Sequence, residues 1–287
     1  MIISIIIPCY NNTIQLLSTI ASLDNQILPN KVELEVVIVD DGSDEPINVN
    51  NINCMHEIIV VSQRDEGFQV SLARNRGARI ASGEVLLFVD CGIYLEKNAV
   101  SSIIEPSLCD KCCVSLGNIY GITNCADNKK IILSDIENYG VEGALKLYIS
   151  TSTFLDPRIY HLSYHDMDMR NLRAPWVYCW GGVIAIHKSL FDSISGFDES
   201  FRSWGGEDIE LGIRLMKEGA IFSFVFESAS MHIPQSEDVV SKKKSNFNAF
   251  EYIHSKHLLD ETYLLLQHEY WGIEEVLRQR SVLRRTQ

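Results

Sequence analysis

No apolar run in the 287-residue chain is long enough to span a bilayer as a helix. Positive charge is scarce: 25 Lys and Arg stand against 38 Asp and Glu, a formal net charge of -13. That balance argues against a nucleic-acid polymer or an anionic membrane as main partner, although a local basic cluster or a metal can still hold one small anion. A basic leader and a small-residue cleavage site are both missing around Met1-Ile2-Ile3-Ser4-Ile5-Ile6-Ile7. The opening therefore reads as a buried strand, and the expectation is a cytoplasmic protein, at most peripheral at the inner membrane face. Zinc-knuckle pairing is absent as well. Cys109, Cys112 and Cys113, with Cys125 further on, lack a second half, so the eight cysteines read as reduced, mostly structural thiols. There is no internal repeat and no low-complexity tract.

What is present suits a globular α/β protein. A hydrophobic share of 46% and a charged share of 22% allow one large core, or a core with an appendage. Apolar runs at residues 2–7, Leu34 to Val39, Glu57 to Val61 and Glu84 to Val89 alternate with helical patterns through Ile14, Leu17, Ile20 and Leu23 and from Val70 to Ala81. Strands apolar on both faces and separated by helices predict a mostly parallel central sheet flanked by helices. Ligands of such sheets lie at the carboxyl ends of the strands. Here those ends carry Pro8-Cys9-Tyr10-Asn11, Asp40-Asp41-Gly42-Ser43 and Asp90-Cys91-Gly92. Ala99 to Ile104 reads as helix, and Val114 to Ile119 and Val183 to Ile186 read as strands. Phe154 to Pro175 has no clear period and reads as a long loop over the site. After residue 236, Lys242-Lys243-Lys244 leads into a helical extension that ends in arginines.

The most informative segment is Trp204-Gly205-Gly206-Glu207-Asp208-Ile209-Glu210. Two glycines permit a tight turn and close approach. Two adjacent carboxylates then open an amphipathic helix, where acids also suit the positive helix end. An aromatic plate beside an acid pair is what a sugar-binding, hydroxyl-activating site needs.

Taken in order, Ile7-Pro8-Cys9-Tyr10-Asn11, Val39-Asp40-Asp41-Gly42-Ser43, Ala73-Arg74-Asn75-Arg76-Gly77-Ala78 and Phe88-Val89-Asp90 resemble the nucleotide-binding half of family-two glycosyltransferases with the GT-A fold. Trp180-Gly181-Gly182, Gly196-Phe197-Asp198-Glu199 and the Trp204 segment are similar to chondroitin and hyaluronan polymerases and to polypeptide N-acetylgalactosaminyltransferases. The resemblance covers about residues 1–235 and implies a GT-A domain there, with 1–92 as nucleotide-binding half, 93–235 as acceptor half and 236–287 as a C-terminal helical extension. It implies a metal-dependent inverting transfer of a hexose or N-acetylhexosamine from a UDP-sugar to a hydroxyl of a glycan or glycoconjugate, in the service of polysaccharide biosynthesis.

Donor-binding residues are then Pro8, Tyr10, Asn11, Asp40, Asp41, Arg74, Asn75 and Asp90, with Asp40 on uracil, Asp41 supporting its loop and Tyr10 stacking. The metal, Mn2+ or Mg2+, would sit on Asp90 and His232. In place of the family's Asp-x-Asp the chain has Asp90-Cys91-Gly92, which lacks the second acid. Asp208 matches the family's base, with Glu207 on sugar hydroxyls, and Trp180, Gly181, Gly182, Trp204, Gly205 and Gly206 face the acceptor. Lys242 to Lys244 read either as a lid over the phosphates or as a solvated loop, and the C-terminal helices leave homo-oligomerisation open. Two alternatives stand beside this reading: a degenerate nucleotide- or glycan-binding module, and a nucleotidyltransferase.

Overall fold

Runs of Ile, Val and Leu without polar alternation become strands buried on both faces. The computed structural model describes residues 1–234, 239–268 and 270–285, without the side chains of 239–246, 271 and 281–285. β1 (Ile2–Cys9) is buried from its second residue to its last, as is β2 (Glu33–Asp40). With β3 (Glu57–Ser62) and β4 (Val85–Val89) they form a parallel unit in the order β3-β2-β1-β4. The helices α1 (Thr13–Asp24) and α2 (Val70–Ile80) lie in its crossovers.

The second half extends the same sheet to eight strands, β3-β2-β1-β4-β7-β6-β8-β5. Its strands are β5 (Ile93–Leu95), β6 (Cys113–Tyr120), β7 (Val183–His187) and β8 (Ile221–His232). β7 runs antiparallel to β4 and to β6, and β5 runs antiparallel to β8. The other pairings, including β6 with β8, are parallel, so the sheet is mostly parallel and helix-flanked, as expected. α3 (Ala99–Cys109) packs on β6 and β8.

Two stretches differ from the sequence reading. Residues Ala126–Thr151 form one long helix, α4, bent at Gly140, where φ is 71°. Only Ile132, Ala144, Leu145 and Tyr148 of it are buried, too sparse a stripe to show as a period. Residues 154–175 are not a structureless loop but a chain of single turns. Asp156 caps α5 (Pro157–Leu162) through the Arg158 amide, and Asp168 caps the next turn through the Arg170 amide. Proline at the first helical position and a capping Asp need no apolar period.

α6 (Lys188–Ser193) and α7 (Glu207–Lys217) complete the first 235 residues. Beyond them α8 (Val239–His257), α9 (Asp260–Leu264) and α10 (Ile273–Arg285) fold back on the chain. Phe250, Ile253, Leu264, Leu265, Ile273 and Leu277 join the same apolar cluster as Trp176, Leu211 and Ile213. Polar ties reinforce the contact: Lys256 lies 2.7 Å from both Asp198 and Glu210, and Glu274 accepts the Ala174 amide. These apolar side chains of the extension thus pack within the chain. The side chains of Lys242 to Lys244 lie outside the described residues.

Candidate active site

The carboxyl ends of β1, β2 and β4 open onto two adjoining cavities of about 380 and 470 Å3. Both are lined by Arg74, Asp90, Trp204 and Glu207, so they form one continuous cleft. Pro8, Tyr10 and Asp41 face the smaller cavity, joined by Asp65 and Phe68.

Asp40 and Asp41 exchange their expected places. Asp40 is 1% exposed, and its carboxylate accepts the amides of Ser43 at 2.9 Å and Ile47 at 3.2 Å, so it holds the loop. Asp41 instead lines the cavity, steadied by Gln63 at 2.5 Å and the Gln69 amide at 3.3 Å. Burial pushes its carboxyl above the usual range. Asn11 also serves the loops and not the cavity: its side chain pairs with the Asp44 amide and carboxylate at 2.8 and 3.1 Å. Asn75 is buried and grips the Phe197 backbone twice, at 2.8 Å each, together with Glu199 at 2.9 Å. Its position on α2 turns it towards the β7–α7 connection, and it lines neither cavity.

Arg74 stands at the centre of the cleft. It is 2% exposed and donates Nη1 to Glu207 at 3.0 Å and Nη2 to Asp90 at 2.7 Å. Gly181 makes that placement possible, because a Cβ there would lie 2.6 Å from Arg74 Nη2. Glu207 Oε2 is buried without a hydrogen-bond partner among the described residues. Leaving such an atom unsatisfied costs about 1–3 kcal/mol, which a ligand hydroxyl would recover.

Asp208, the second residue of α7, lines the larger cavity. It accepts the Gly181 amide and its neighbour Ile209's amide, both at 2.8 Å. Burial, and then the charge of Glu207, raise its carboxyl to about 7, against the two amides and Arg74, which favour the ion. The turn before it needs Gly205 and Gly206, with φ of 95° and 91°. At Gly206 the close approach is to α8 and not to a ligand, since a Cβ would meet Ala249 at 2.9 Å. Trp180, Gly181, Gly182, Trp204, Gly205 and Gly206 all line this cavity.

Asp90 and His232 line it too, and backbone pairing explains why. β5 pairs with β8 so that Ile93 faces His232, and the Ile233 amide donates to Gly92 O at 3.0 Å. The last residue of β8 is thereby pinned against the turn that follows Asp90. Gly92, at the place of the missing acid, contributes backbone alone, its amide bonded to Thr19 Oγ1 at 3.1 Å. Among the described residues no three His, Cys, Asp or Glu side chains gather into a cage. Mg2+ and Mn2+ commonly take one or two protein ligands and complete their shell with water and phosphate oxygens. Asp90, 41% exposed at its side chain and tied to Arg74 through Oδ1, fits that kind of site together with His232.

Several lining residues had no signal in the sequence. His161 comes from the turns of residues 154–175, and Phe250 and Tyr270 come from the extension. Beneath Trp180 lies Arg158, wholly buried, its guanidinium 4.9 Å from the rings of Trp180 and Phe224 and paired with Asp156.

Residues 4–194 match the family described as Glycosyl transferase family 2, and residues 162–235 match one described as N-terminal domain of galactosyltransferase. Validoxylamine A glucosyltransferase of Streptomyces hygroscopicus subsp. jinggangensis (strain 5008) is 32% identical over 81% of this chain and 56% of its own length. Chondroitin synthase of Escherichia coli is 30% identical over 80% of this chain and 34% of its own. The chain thus spans about half, or less, of the length of these relatives. Among solved structures, S. aureus TarS 1-349 in complex with UDP-GlcNAc superimposes with a TM-score of 0.61 at 18% identity, over 93% of this chain and 70% of that one. GalNAc-T7 with UDP, GalNAc and Mn2+ gives 0.59 at 18% identity, over 97% of this chain and 53% of that one. At such identities the structural likeness speaks for the fold.

Proposed function

The chain belongs to glycosyl transferase family 2 and has the GT-A fold, and from that premise we propose that it transfers a hexose or N-acetylhexosamine from a UDP-sugar to a hydroxyl acceptor with inversion. The observation that carries the proposal is that Asp90 and Asp208 open into one cavity, which is continuous with a second one ending at Asp41 and Tyr10. In this reading the nucleotide occupies the smaller cavity. Asp41 accepts the uracil N–H, and Tyr10, held by Asp65 at 3.2 Å, covers the ring. Asp40 holds the loop beneath.

The diphosphate lies at Asp90 and His232, which would hold the divalent cation. A cation held there would supply positive charge to offset the phosphates and the departing UDP. Arg74 keeps Asp90 oriented, and Glu207, whose second oxygen lacks a partner among the described residues, takes a sugar hydroxyl. Asp208 accepts the proton of the acceptor hydroxyl as its oxygen attacks the anomeric carbon on the face opposite UDP. Its raised affinity for a proton suits that role, since a base works best with a pKa near the working pH. Residues 1–92, 93–235 and 236–287 act as nucleotide half, acceptor half and buttressing extension. No described helix is long and apolar enough to cross a membrane.

The test is hydrolysis of a panel of UDP-sugars, with calorimetry of UDP binding in Mn2+ and in chelator. Donor hydrolysis that chelator abolishes, and UDP affinity that falls at least tenfold in chelator, are the expected results. Full turnover in chelator would remove the cation from Asp90 and His232. UDP binding with no hydrolysis or transfer would reduce the protein to a binding module. Asp41→Asn is expected to weaken UDP binding about tenfold, as loss of a charged acceptor of one hydrogen bond does, and Asp40→Asn to lower thermal stability first.

A further inference from the structure

Asp90 is followed by a cysteine that the proposed transfer does not use, and the sheet sets a second cysteine against it. Cys9 ends β1, and Cys91 lies two residues beyond the end of β4. The two strands pair in parallel from Ile3–Val85 to Ile6–Phe88. Three further residues along each strand reach Cys9 and Cys91 together. Both pack with Ile5, Ile7, Leu87 and Val89 on one face of the sheet. Their sulfurs lie 3.5 Å apart, in hydrogen-bond contact. Neighbouring strands run about 4.8 Å apart, and a disulfide spans Cα separations of about 4.4–6.8 Å, with its sulfurs about 2.05 Å apart. Bond formation thus asks the two sulfurs to approach by about 1.5 Å, a distance that side-chain rotation covers while the register stays as it is.

The pair borders the smaller cavity. Cys9, between Pro8 and Tyr10, lines that cavity, and Cys91 is half-buried, which leaves a small molecule a sulfur to attack. Cys91 also donates its S–H to the Asn12 carbonyl at 3.3 Å. That bond ties the turn carrying Tyr10 and Asn11 to the turn that follows Asp90. A disulfide sulfur has no proton to donate. Forming the bond removes the tie to Asn12 and draws the neighbour of Asp90 towards β1.

We infer that Cys9 and Cys91 form a modification site, a dithiol that a low-molecular-weight disulfide converts reversibly into a cross-link, and that the cross-linked chain binds UDP more weakly. In the first step one cysteine sulfur attacks the small disulfide, whose S–S bond breaks. One small thiol leaves, and a mixed disulfide remains. The other cysteine attacks it, the Cys9–Cys91 bond forms, and the second small thiol departs. The pair loses two electrons and two protons, and both are carried off by the two released thiols. The effect on UDP rests on the smaller cavity being the nucleotide half, whereas formation of the cross-link does not.

The test equilibrates the whole chain in glutathione redox buffers containing Mn2+, with and without saturating UDP, and blocks the remaining thiols before peptide mapping. A Cys9–Cys91 peptide should appear, lighter by two hydrogens than its reduced parts. Calorimetry should find UDP affinity about tenfold lower in the cross-linked chain, and by reciprocity saturating UDP should raise the reduction potential of the pair by about 30 mV. Cys91→Ser, which keeps a donor for the Asn12 carbonyl, should bind UDP like the reduced unaltered chain and hold that affinity in oxidised glutathione. Cys9→Ala, with Cys91 still bonded to Asn12, should likewise be insensitive to the oxidant. Absence of the cross-linked peptide across the buffer series, or pairing of either residue with a different cysteine instead, would overturn the site. A cross-link that leaves UDP affinity unchanged, or a loss of affinity that persists in oxidised Cys91→Ser, would overturn its effect on UDP. A reduced chain that binds no UDP would mark instead the failure of the proposed function, and the peptide map would still decide whether the pair forms.

Discussion

Asp208→Asn is expected to lower glycosyl transfer by about a hundred- to ten-thousandfold, the range over which a positioned general base contributes, and to leave UDP binding unchanged. The carboxylate lies in the larger cavity, whereas Asp41 and Tyr10, the proposed nucleotide wall, line the smaller. An amide keeps the shape and loses the basicity. With a carboxyl near 7, kcat/KM of the unaltered protein should rise with pH and level off above that value, and this inflection should vanish in the variant. Retained turnover with an unshifted profile would remove Asp208 as base.

The same residue links activity to stability. Its ordinary value of 3.8 is raised to about 7 on folding, so the folded chain binds the proton more tightly. The stabilisation from that proton is fully present below about pH 4 and is lost as pH rises through 7. Relative to the unaltered chain, Asp208→Asn should therefore gain stability between pH 5 and pH 8. Urea titrations of both proteins at the two pH values measure it, and a difference that does not move with pH would refute the shift. The site holds a charge that the fold would shed, a pattern common where function sets the residue.

How far the sequence reveals this arrangement depends on the range of the forces involved. The parallel half was legible because the Ile and Val runs of β1 and β2 have nowhere to go but a doubly covered sheet. The ends of those strands were legible for the same reason, and Tyr10, Asp41 and Asp90 do meet in one cleft. What was not legible is the direction of a side chain within a loop. Asp40 and Asp41 are neighbours of identical chemistry, and only the fold of the following turn, which offers the Ser43 and Ile47 amides, decides which one turns inward. Asn75 likewise follows Arg74 by one helical position, and so points about a hundred degrees away from it. Tyr270 meets Trp180 from a distant part of the chain and is itself packed on Phe250, and no local pattern records either contact.

Arg158→Met is expected to destabilise the fold by about 3–5 kcal/mol, the usual cost of stranding one member of a buried ion pair. Asp156 and Arg158 are both wholly buried, with Nη2 and Oδ2 2.6 Å apart. Arg158 also donates to the carbonyls of Gly117 and Tyr178, and Asp156 accepts the Ile119 amide at 2.9 Å. The pair therefore ties β6 to the segment that carries Trp180. Asp156→Asn with Arg158→Met removes both charges together and should cost less than Arg158→Met alone, because no ion is then left in an apolar setting. Urea denaturation of the two variants decides this; equal losses would mean that the hydrogen bonds, and not the charges, hold the junction. In the double variant Trp180 loses the cation beneath its ring. Acceptor KM should then rise while donor hydrolysis persists, since the proposed nucleotide wall of Asp41 and Tyr10 lines the smaller cavity, to which Trp180 does not contribute. An unchanged acceptor KM would confine Arg158 to holding the fold.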